Sequence, residues 1–334
     1  MAASPSTSSA PTRPDPPVGD GASSLLDRAE LAVGRAQFSA LRRALARAAA
    51  LRRSRATIVH PRQVAEAEVR ITMPYLHRGI EPQRPGTPIL LLHGFGADKE
   101  TWLMQTLVLP RRRPMIVVDL PGFGQASPIP GALASPAAQS EAVQCFLDAL
   151  GLQRVHLVGN SMGGGLALRL AHDAPERIAS MALLNAIGPE VPIKSETMRG
   201  WDHGENHLIP RDAAGADKLA EVVMARPPKL PRAMIRYATS KRVAMSERLQ
   251  ELFEGWTSSP AADDLPGDLG ALDIPALVVC GERDRVIHPE TSRAIARALP
   301  RAELHSMAEI GHMPQLEAPR RTARLLTRLW ADLD

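Results

Sequence analysis

Short continuous apolar runs recur along this chain, and each is followed by a glycine-rich or turn-forming segment. Four of them are PILLL at 88–92, MIVVDL at 115–120, VHLV at 155–158 and ALVVC at 276–280. Helix-like segments lie between these runs. Such runs are typical of strands buried on both faces, and their alternation with helices predicts a parallel sheet with helical crossovers. The pattern therefore predicts an α/β fold.

Composition excludes several other classes of protein. Apolar residues make up 44% of the 334 residues and charged residues 23%, which is typical of a globular domain. No apolar run reaches the roughly 18 residues expected of a transmembrane helix. Residues 1–62 hold ten arginines and four acids, whereas the rest of the chain holds 30 basic and 32 acidic groups. The body has no basic surplus, so we expect no nucleic-acid partner.

The N-terminal residues differ from the body. Residues 1–23 are rich in Pro, Ser and Ala, lack the apolar region of a secretory signal, and are expected to form a disordered tail. Residues 24–55 are predicted to form a basic amphipathic helix. Its apolar face would carry Phe38, Leu41, Leu45 and Ala48, and the opposite face Arg35, Arg42, Arg43 and Arg47. Such a helix either packs on the body or lies peripherally on an anionic membrane.

The alternation of strands and helices stops between residues 188 and 268. This stretch is too long for a plain loop, and it contains several Pro-rich pieces. We interpret it as a helical cap over the carboxyl edge of the sheet, with helices around 213–224 and 232–256. The α/β core would then comprise residues 63–187 and 269–334. Met198 and Trp201 in the cap are candidates for lining a substrate pocket.

The strongest local motif is Gly159-Asn160-Ser161-Met162-Gly163, which matches G-x-S-x-G. It follows the apolar run 155–158 directly and precedes a helix-like segment. This strand–turn–helix setting is the one that a nucleophile elbow requires. A phosphate-binding loop would need a Gly-Lys-Ser/Thr sequence, and no lysine lies nearby. Ser161 is therefore the predicted nucleophile.

A serine nucleophile needs a base and an acid that orients the base. His312 lies in a loop after the last predicted strand, and Asp284 follows the penultimate one. The order Ser, Asp, His along the chain is that of α/β-hydrolase triads. Glu282 is the alternative acid. The alternative histidines, which fit less well, are His203, His207, His288 and His305. We expect no metal site.

Acyl transfer also needs amide donors for the developing oxyanion. One should be the amide of Met162, after the nucleophile, and the other that of Phe95 in the segment His93-Gly94-Phe95-Gly96. His93 and Gly94 are further candidates for the substrate pocket, although the His93 side chain fits a role in bracing this loop better than a chemical one.

With these segments in place, the chain resembles the α/β-hydrolase superfamily, and more narrowly its monoacylglycerol lipase and bacterial lipase branch. The motifs that carry the resemblance are HGFGADKETW, VDLPGFG, GNSMGGG, CGERDRVI and GHMPQLEAP. The resemblance implies an α/β-hydrolase fold with an eight-stranded, mostly parallel sheet, flanking helices and a helical cap. It also implies a Ser161–His312–Asp284 triad that cleaves carboxylic esters without a cofactor.

The predicted function is that of a serine esterase or lipase whose partner is a small-molecule or lipid ester with a medium-to-long acyl chain, similar to a monoacylglycerol. Carbon–carbon bond hydrolases and acyltransferases use the same triad and remain alternatives. A hydrolase-fold protein that only binds its ligand is a third alternative. The two cysteines, Cys145 and Cys280, fit a reduced, cytoplasmic setting.

Overall fold

The computed structural model describes residues 25–81, 86–227, 229–258, 260, 264–331 and 333. Its strands are β1 (Arg52–Val59), β2 (Arg70–Arg78), β3 (Ile89–Leu92), β4 (Met115–Val118), β5 (Val155–Asn160), β6 (Ile178–Leu184), β7 (Ala276–Gly281) and β8 (Ala302–Met307). They form one sheet in the order β1-β2-β4-β3-β5-β6-β7-β8. The strands from β3 to β8 pair in parallel, whereas β2 runs antiparallel to β1 and β4. The predicted α/β-hydrolase architecture is confirmed.

Helices cover both faces of this sheet. In the described residues they are α1 (Leu25–Ala48), α2 (Leu103–Val108), α3 (Pro136–Ala149), α4 (Met162–Asp173), α5 (Glu196–Asp202), α6 (Ala213–Val223), α7 (Arg232–Val243), α8 (Ser246–Thr257), α9 (Pro289–Ala298), α10 (Pro314–Glu317) and α11 (Pro319–Ala331).

The central strands are apolar throughout because both of their faces are covered. Every residue of β3, β4, β5, β6 and β7 is buried. One face packs on α3 and α4 through side chains such as Phe146 and Leu166. The other face packs on α2 and α11 through Leu103 and Trp330. Since the parallel strands end at one common edge, the loops that follow them meet there.

The N-terminal boundary of the core differs from the prediction. The predicted helix of residues 24–55 ends at Ala48, and Arg52–Val59 forms the edge strand β1 instead. This strand pairs with β2 along its whole length. Its side chains alternate between the two faces of the sheet: one face carries exposed arginines, and the other buries Ile58. In the sequence, the run of basic residues obscures this strand pattern. The core therefore begins at residue 52 rather than 63. The predicted tail, residues 1–23, lies outside the described residues.

The inward face of α1 is only partly the predicted one, since Phe38 and Leu45 face inward but two other predicted residues do not. Leu41 and Ala48 are exposed, whereas Gly34 and Ala46 are buried. Arg42, predicted to face water, lies on the packed face because its guanidinium donates to Asp98 and Glu100 at 2.7 and 2.9 Å. Two carboxylates thus compensate the partial burial of a charge, which periodicity alone does not reveal.

The main partner of α1 in the cap is α7. Gly34 lies directly against the carbonyl of Ala233, and any side chain at residue 34 would clash with it. The rings of Phe38 and Tyr237 are 6.0 Å apart. Arg236 of α7 donates to acidic side chains in the first turns of α1, one of them Asp27 at 2.8 Å. Within the described residues no helix is both long and apolar enough to cross a bilayer.

In the described part of the stretch between β6 and β7 there are four helices, α5 to α8. The single helix predicted at 232–256 is divided at Ala244 and Met245 into α7 and α8. No glycine or proline marks the break. It allows α7 to follow α1 while α8 turns to bury Leu249 and Leu252 in the core. The break is thus a consequence of tertiary packing.

Candidate active site

Ser161 forms the sharp turn between β5 and α4. Its backbone has φ 57° and ψ −120°, a conformation that residues other than glycine rarely adopt. The surrounding glycines make this turn possible. A Cβ at Gly159 would clash with the carbonyl of Gly163, and one at Gly163 with the carbonyl of Leu92. The spacing of the motif therefore has a steric basis.

His312 and Asp284 meet at the same edge of the sheet. Nδ1 of His312 lies 2.8 Å from Oδ2 of Asp284. The other carboxylate oxygen of Asp284 accepts hydrogen bonds from the amides of Val286 and Ile287 at 2.8 and 3.0 Å. Because a carboxylate can only accept, Nδ1 of His312 is the donor in this hydrogen bond, and in the neutral imidazole Nε2 then keeps its lone pair. A histidine in this tautomer can accept a proton from a hydroxyl group.

Ser161 and His312 line one cavity of about 170 Å³ together with Phe95 and Asn160. The structure thus brings the three residues of the predicted triad to one place. The alternative groups lie elsewhere. Glu282 is ion-paired with Arg293 at 2.6 Å. None of the alternative histidines lines a cavity that contains Ser161. These are His203, His207, His288 and His305.

Two asparagines that the sequence analysis did not single out hold the histidine loop against the strands. The Asn160 side chain donates to the backbone carbonyl of His312 at 3.0 Å, and it accepts from Gln315 at 2.9 Å. Asn185, with φ 44°, donates to Gly311 at 2.7 Å. Asn160 occupies a position of G-x-S-x-G that the motif leaves variable, and Asn185 follows β6 without a motif. The sequence therefore gives no signal for either residue, and only their hydrogen bonds to the histidine loop show their role.

The predicted oxyanion donors lie beside the nucleophile. Phe95 and Met162 both line a cavity that contains Ser161. Within the described part of the chain, neither backbone amide donates to another residue. Met162 is the first residue of α4, where an amide has no partner in its own helix. Both N–H groups are therefore available to a ligand.

His93, a predicted pocket residue, does not line the cavities at Ser161. It is fully buried, and this burial lowers its pKa. Its Nε2 accepts from the amide of Leu120 at 3.0 Å, and its Nδ1 donates to the carbonyl of Gly94 at 2.9 Å. Nε2 thus connects the loops after β3 and β4, Nδ1 is bonded within its own loop, and the pocket assignment for His93 is wrong. Gly94 does line the cavity.

A buried ion pair supports the same two loops. Asp119 is fully buried and accepts from Nζ of Lys99 at 2.5 Å and from the amide of Gln125 at 2.9 Å. Gly124 is required beside it, because a Cβ there would lie 2.5 Å from the Asp119 carboxyl carbon. The segment that carries Phe95 is thereby held in place by charge as well as packing.

Ser161 also borders a second, larger cavity of about 250 Å³, whose lining is mostly apolar. Met198 and Trp201, both predicted pocket residues, lie in this lining. Phe253 from α8 contacts the ring of Trp201 at a centroid distance of 5.2 Å. The aromatic part of the lining comes largely from the cap.

Arg242, near the end of α7, lines the smaller cavity and was not singled out in the sequence. Its guanidinium donates to the carbonyl of Leu208 at 2.7 Å and to that of Gly96. Burial lowers the pKa of Arg242 to about 10, although the charge of Asp98 acts in the opposite direction. The group is still protonated at neutral pH, so this cavity carries a positive charge.

Comparisons with known proteins agree with this geometry. A family profile described as the alpha/beta hydrolase fold matches residues 87–319. The chain belongs to this family. It is 30% identical to Lipase 1 of Psychrobacter immobilis over 71% of this chain and 75% of that protein. It is 26% identical to monoacylglycerol lipase abhd6-B of Xenopus laevis over 78% of this chain and 79% of that protein.

Two further proteins are similar to this chain. A 2-hydroxymuconate semialdehyde hydrolase of Pseudomonas putida is 30% identical over 82% of this chain and 98% of that protein. Among solved structures, a bacterial membrane phospholipase A is 31% identical, with a TM-score of 0.78 and coverage of 90% of this chain and 92% of that chain. This alpha/beta hydrolase is therefore a member of the lipase and esterase branch.

The steric basis of the turn at Ser161 predicts a large difference between two Gly→Ala variants. Gly163→Ala places a methyl group against the Leu92 carbonyl and should lower the free energy of unfolding by about 2 kcal/mol. Gly267→Ala is the matched control because a Cβ there meets no atom within 4 Å. Urea unfolding of both variants measures the difference. Equal unfolding midpoints would contradict the steric account.

Proposed function

We propose that this hydrolase cleaves carboxylic esters with Ser161 as nucleophile, His312 as general base and acid, and Asp284 as the residue that orients His312. The observation that carries the proposal is that an Asp-bonded histidine lines the same cavity as a serine in a strained strand–helix turn. The unbonded amides of Phe95 and Met162 beside the serine supply the oxyanion hole.

In the first half of the reaction, Oγ of Ser161 attacks the carbonyl carbon of the ester while Nε2 of His312 takes the hydroxyl proton. The carbonyl oxygen becomes an oxyanion and accepts from the amides of Phe95 and Met162. The tetrahedral intermediate collapses, the ester C–O bond breaks, and the alkoxide leaves with the proton from His312. The acyl group remains on Ser161.

In the second half, a water molecule gives a proton to Nε2 of His312 as its oxygen attacks the acyl carbon. The new intermediate collapses, the acid is released, and the proton on His312 returns to Oγ of Ser161. Asp284 holds the imidazole in one tautomer and stabilises its cation in both halves. No cofactor takes part in this scheme.

The substrate class follows from the larger cavity. Its apolar lining of cap side chains, including Trp201 and Phe253, suits a hydrocarbon chain. We therefore propose medium-to-long acyl esters, similar to monoacylglycerols, as substrates. The relatives named lipase and monoacylglycerol lipase support this class.

Carbon–carbon bond hydrolysis is the second candidate, because the 2-hydroxymuconate semialdehyde hydrolase relative is 30% identical and matched over 98% of its length. Acyl transfer to an alcohol is a third reaction open to the same acyl-enzyme. Parallel assays with an octanoyl ester, with 2-hydroxymuconate semialdehyde, and with the ester plus an alcohol acceptor separate the three reactions. A protein that only binds its ligand would turn over none of these substrates.

The triad assignment predicts the behaviour of three variants toward p-nitrophenyl octanoate. Ser161→Ala and His312→Ala should each lower kcat/KM at least about a thousandfold, because each removes a group that acts in the transition state. His305→Ala is the control, since His305 lies on β8 beside Glu303 and outside the cavities. Melting curves establish that all three fold. Wild-type turnover in either triad variant would overturn the assignment.

We also propose that the outer face of α1 gives the enzyme peripheral contact with anionic membranes. Arg43 and Arg47 are exposed on this face and form no ion pair within the described residues. Val33 and Leu41, which are 50% and 39% exposed, lie among them. Basic side chains near an anionic bilayer each contribute about 1 kcal/mol to binding. The inward face of α1 packs on α7 and α2. In this proposal the protein body thus covers one face of α1 and the membrane contacts the other.

Vesicle co-sedimentation tests this contact on the full chain. The double variant Arg43→Glu, Arg47→Glu should bind phosphatidylglycerol vesicles at least about tenfold more weakly than the wild type. The matched double variant Arg297→Glu, Arg301→Glu changes the charge equally on and just after α9, which packs on the other face of the sheet, and should bind like the wild type. Equal loss in both variants, or no binding by the wild type, would refute the contact.

A further inference from the structure

The two cavities at Ser161 differ in a way that distinguishes the two halves of an ester. The larger cavity has a lining rich in aromatic cap residues and does not include His312. The smaller cavity includes His312 and Arg242. Because His312 must deliver a proton to the departing alkoxide, the alcohol part of the ester has to lie on the His312 side. The alcohol part therefore occupies the cavity that carries Arg242. This inference rests on the function proposed above.

The charge of Arg242 is not neutralised by an acid. Its guanidinium donates hydrogen bonds to two backbone carbonyls, those of Gly96 and Leu208. Within the described residues it forms no ion pair. Asp98 is the acid whose charge acts on it, but Asp98 already pairs with Arg42 at 2.7 Å and with Lys241 at 3.3 Å. These two cations outweigh the effect of burial and hold the pKa of Asp98 below its usual range.

The guanidinium also has unused hydrogen-bonding capacity. Nε of Arg242 is buried and has no partner within the described residues. A buried donor without a partner costs free energy, and so does a cation beside apolar walls. The other walls of this cavity include Leu208, Leu219 and Val223. An oxyanion bound in this cavity would offset both costs, because a guanidinium binds carboxylates and phosphates in charge-assisted hydrogen bonds.

We infer that Arg242 makes the alcohol side of the active site a subsite for an oxyanion. The preferred esters would then carry a phosphate or carboxylate on the alcohol part and a hydrocarbon acyl chain in the larger cavity. Arg242 is a specificity-determining residue in this account and takes no part in breaking the ester bond. Its contact with the Gly96 carbonyl, next to Phe95, places the subsite beside the oxyanion hole.

The experiment compares three octanoyl esters on the full-length enzyme: 1-octanoylglycerol, 1-octanoylglycerol 3-phosphate and octanoyl glycolate. The wild type should have a kcat/KM at least about tenfold higher for an anionic ester than for the neutral one, which is the factor that one charge-assisted hydrogen bond supplies. The anionic ester with the larger value identifies the oxyanion as phosphate or carboxylate.

Arg242→Gln should reduce this anionic-to-neutral ratio to about one. The ratio is the readout because any general loss from a shifted loop affects all three esters alike. Arg232→Gln is the matched control, since it removes the same charge at the other end of α7, from an exposed side chain outside the smaller cavity. Its ratio should equal that of the wild type.

Two results would overturn the subsite. One is a wild-type ratio near one, which needs no variant and so does not depend on how Arg242→Gln folds. The other is an Arg242→Gln enzyme that keeps the wild-type ratio, which would leave Arg242 as a structural contact between α7 and the Gly96 loop. If the wild type hydrolysed none of the three esters, the proposed ester hydrolysis itself would fail instead.

Discussion

Ser161 is held at φ 57° between a buried strand and the first turn of a helix, and the rest of the site is arranged around that turn. The conformation persists because α4 approaches β5 and the end of β3 so closely that only glycine fits at residues 159 and 163. Strain at the serine is thus offset by the packing of the sheet core. The amide of Met162 is left without a partner in the same turn, so one geometric constraint places the hydroxyl group at the cavities and leaves free the amide that we propose as an oxyanion donor.

The sequence predicts those residues of the site whose position depends on where a strand ends. Ser161, Asp284 and His312 each follow a strand, and parallel strands end at one edge, so local patterns place all three together. Residues whose role depends on distant partners escape such reasoning. Arg42 is on the packed face of α1 because of Asp98 and Glu100. The strand Arg52–Val59 is hidden by its arginines, and the break between α7 and α8 has no local signal.

One continuous set of contacts connects the N-terminal helix α1 to the candidate active site. α1 packs on α7 through Gly34 and Phe38. α7 in turn places Arg242 on the carbonyl of Gly96, next to the predicted oxyanion donor Phe95. The cap, the helix before the sheet and the loop after β3 are therefore not independent elements. Substitutions in the cap can therefore change the smaller cavity without altering Ser161, His312 or Asp284.

The central claim is that the hydroxyl group of Ser161 is the nucleophile, and a fluorophosphonate probe tests it most directly, because the probe forms a covalent bond with an activated serine. Peptide mass spectrometry of the labelled full-length protein should find one adduct per chain, on the peptide that contains Ser161, and His312→Ala should abolish it. Rapid ester hydrolysis with Ser161 unlabelled, or with the adduct on another serine, would contradict the account.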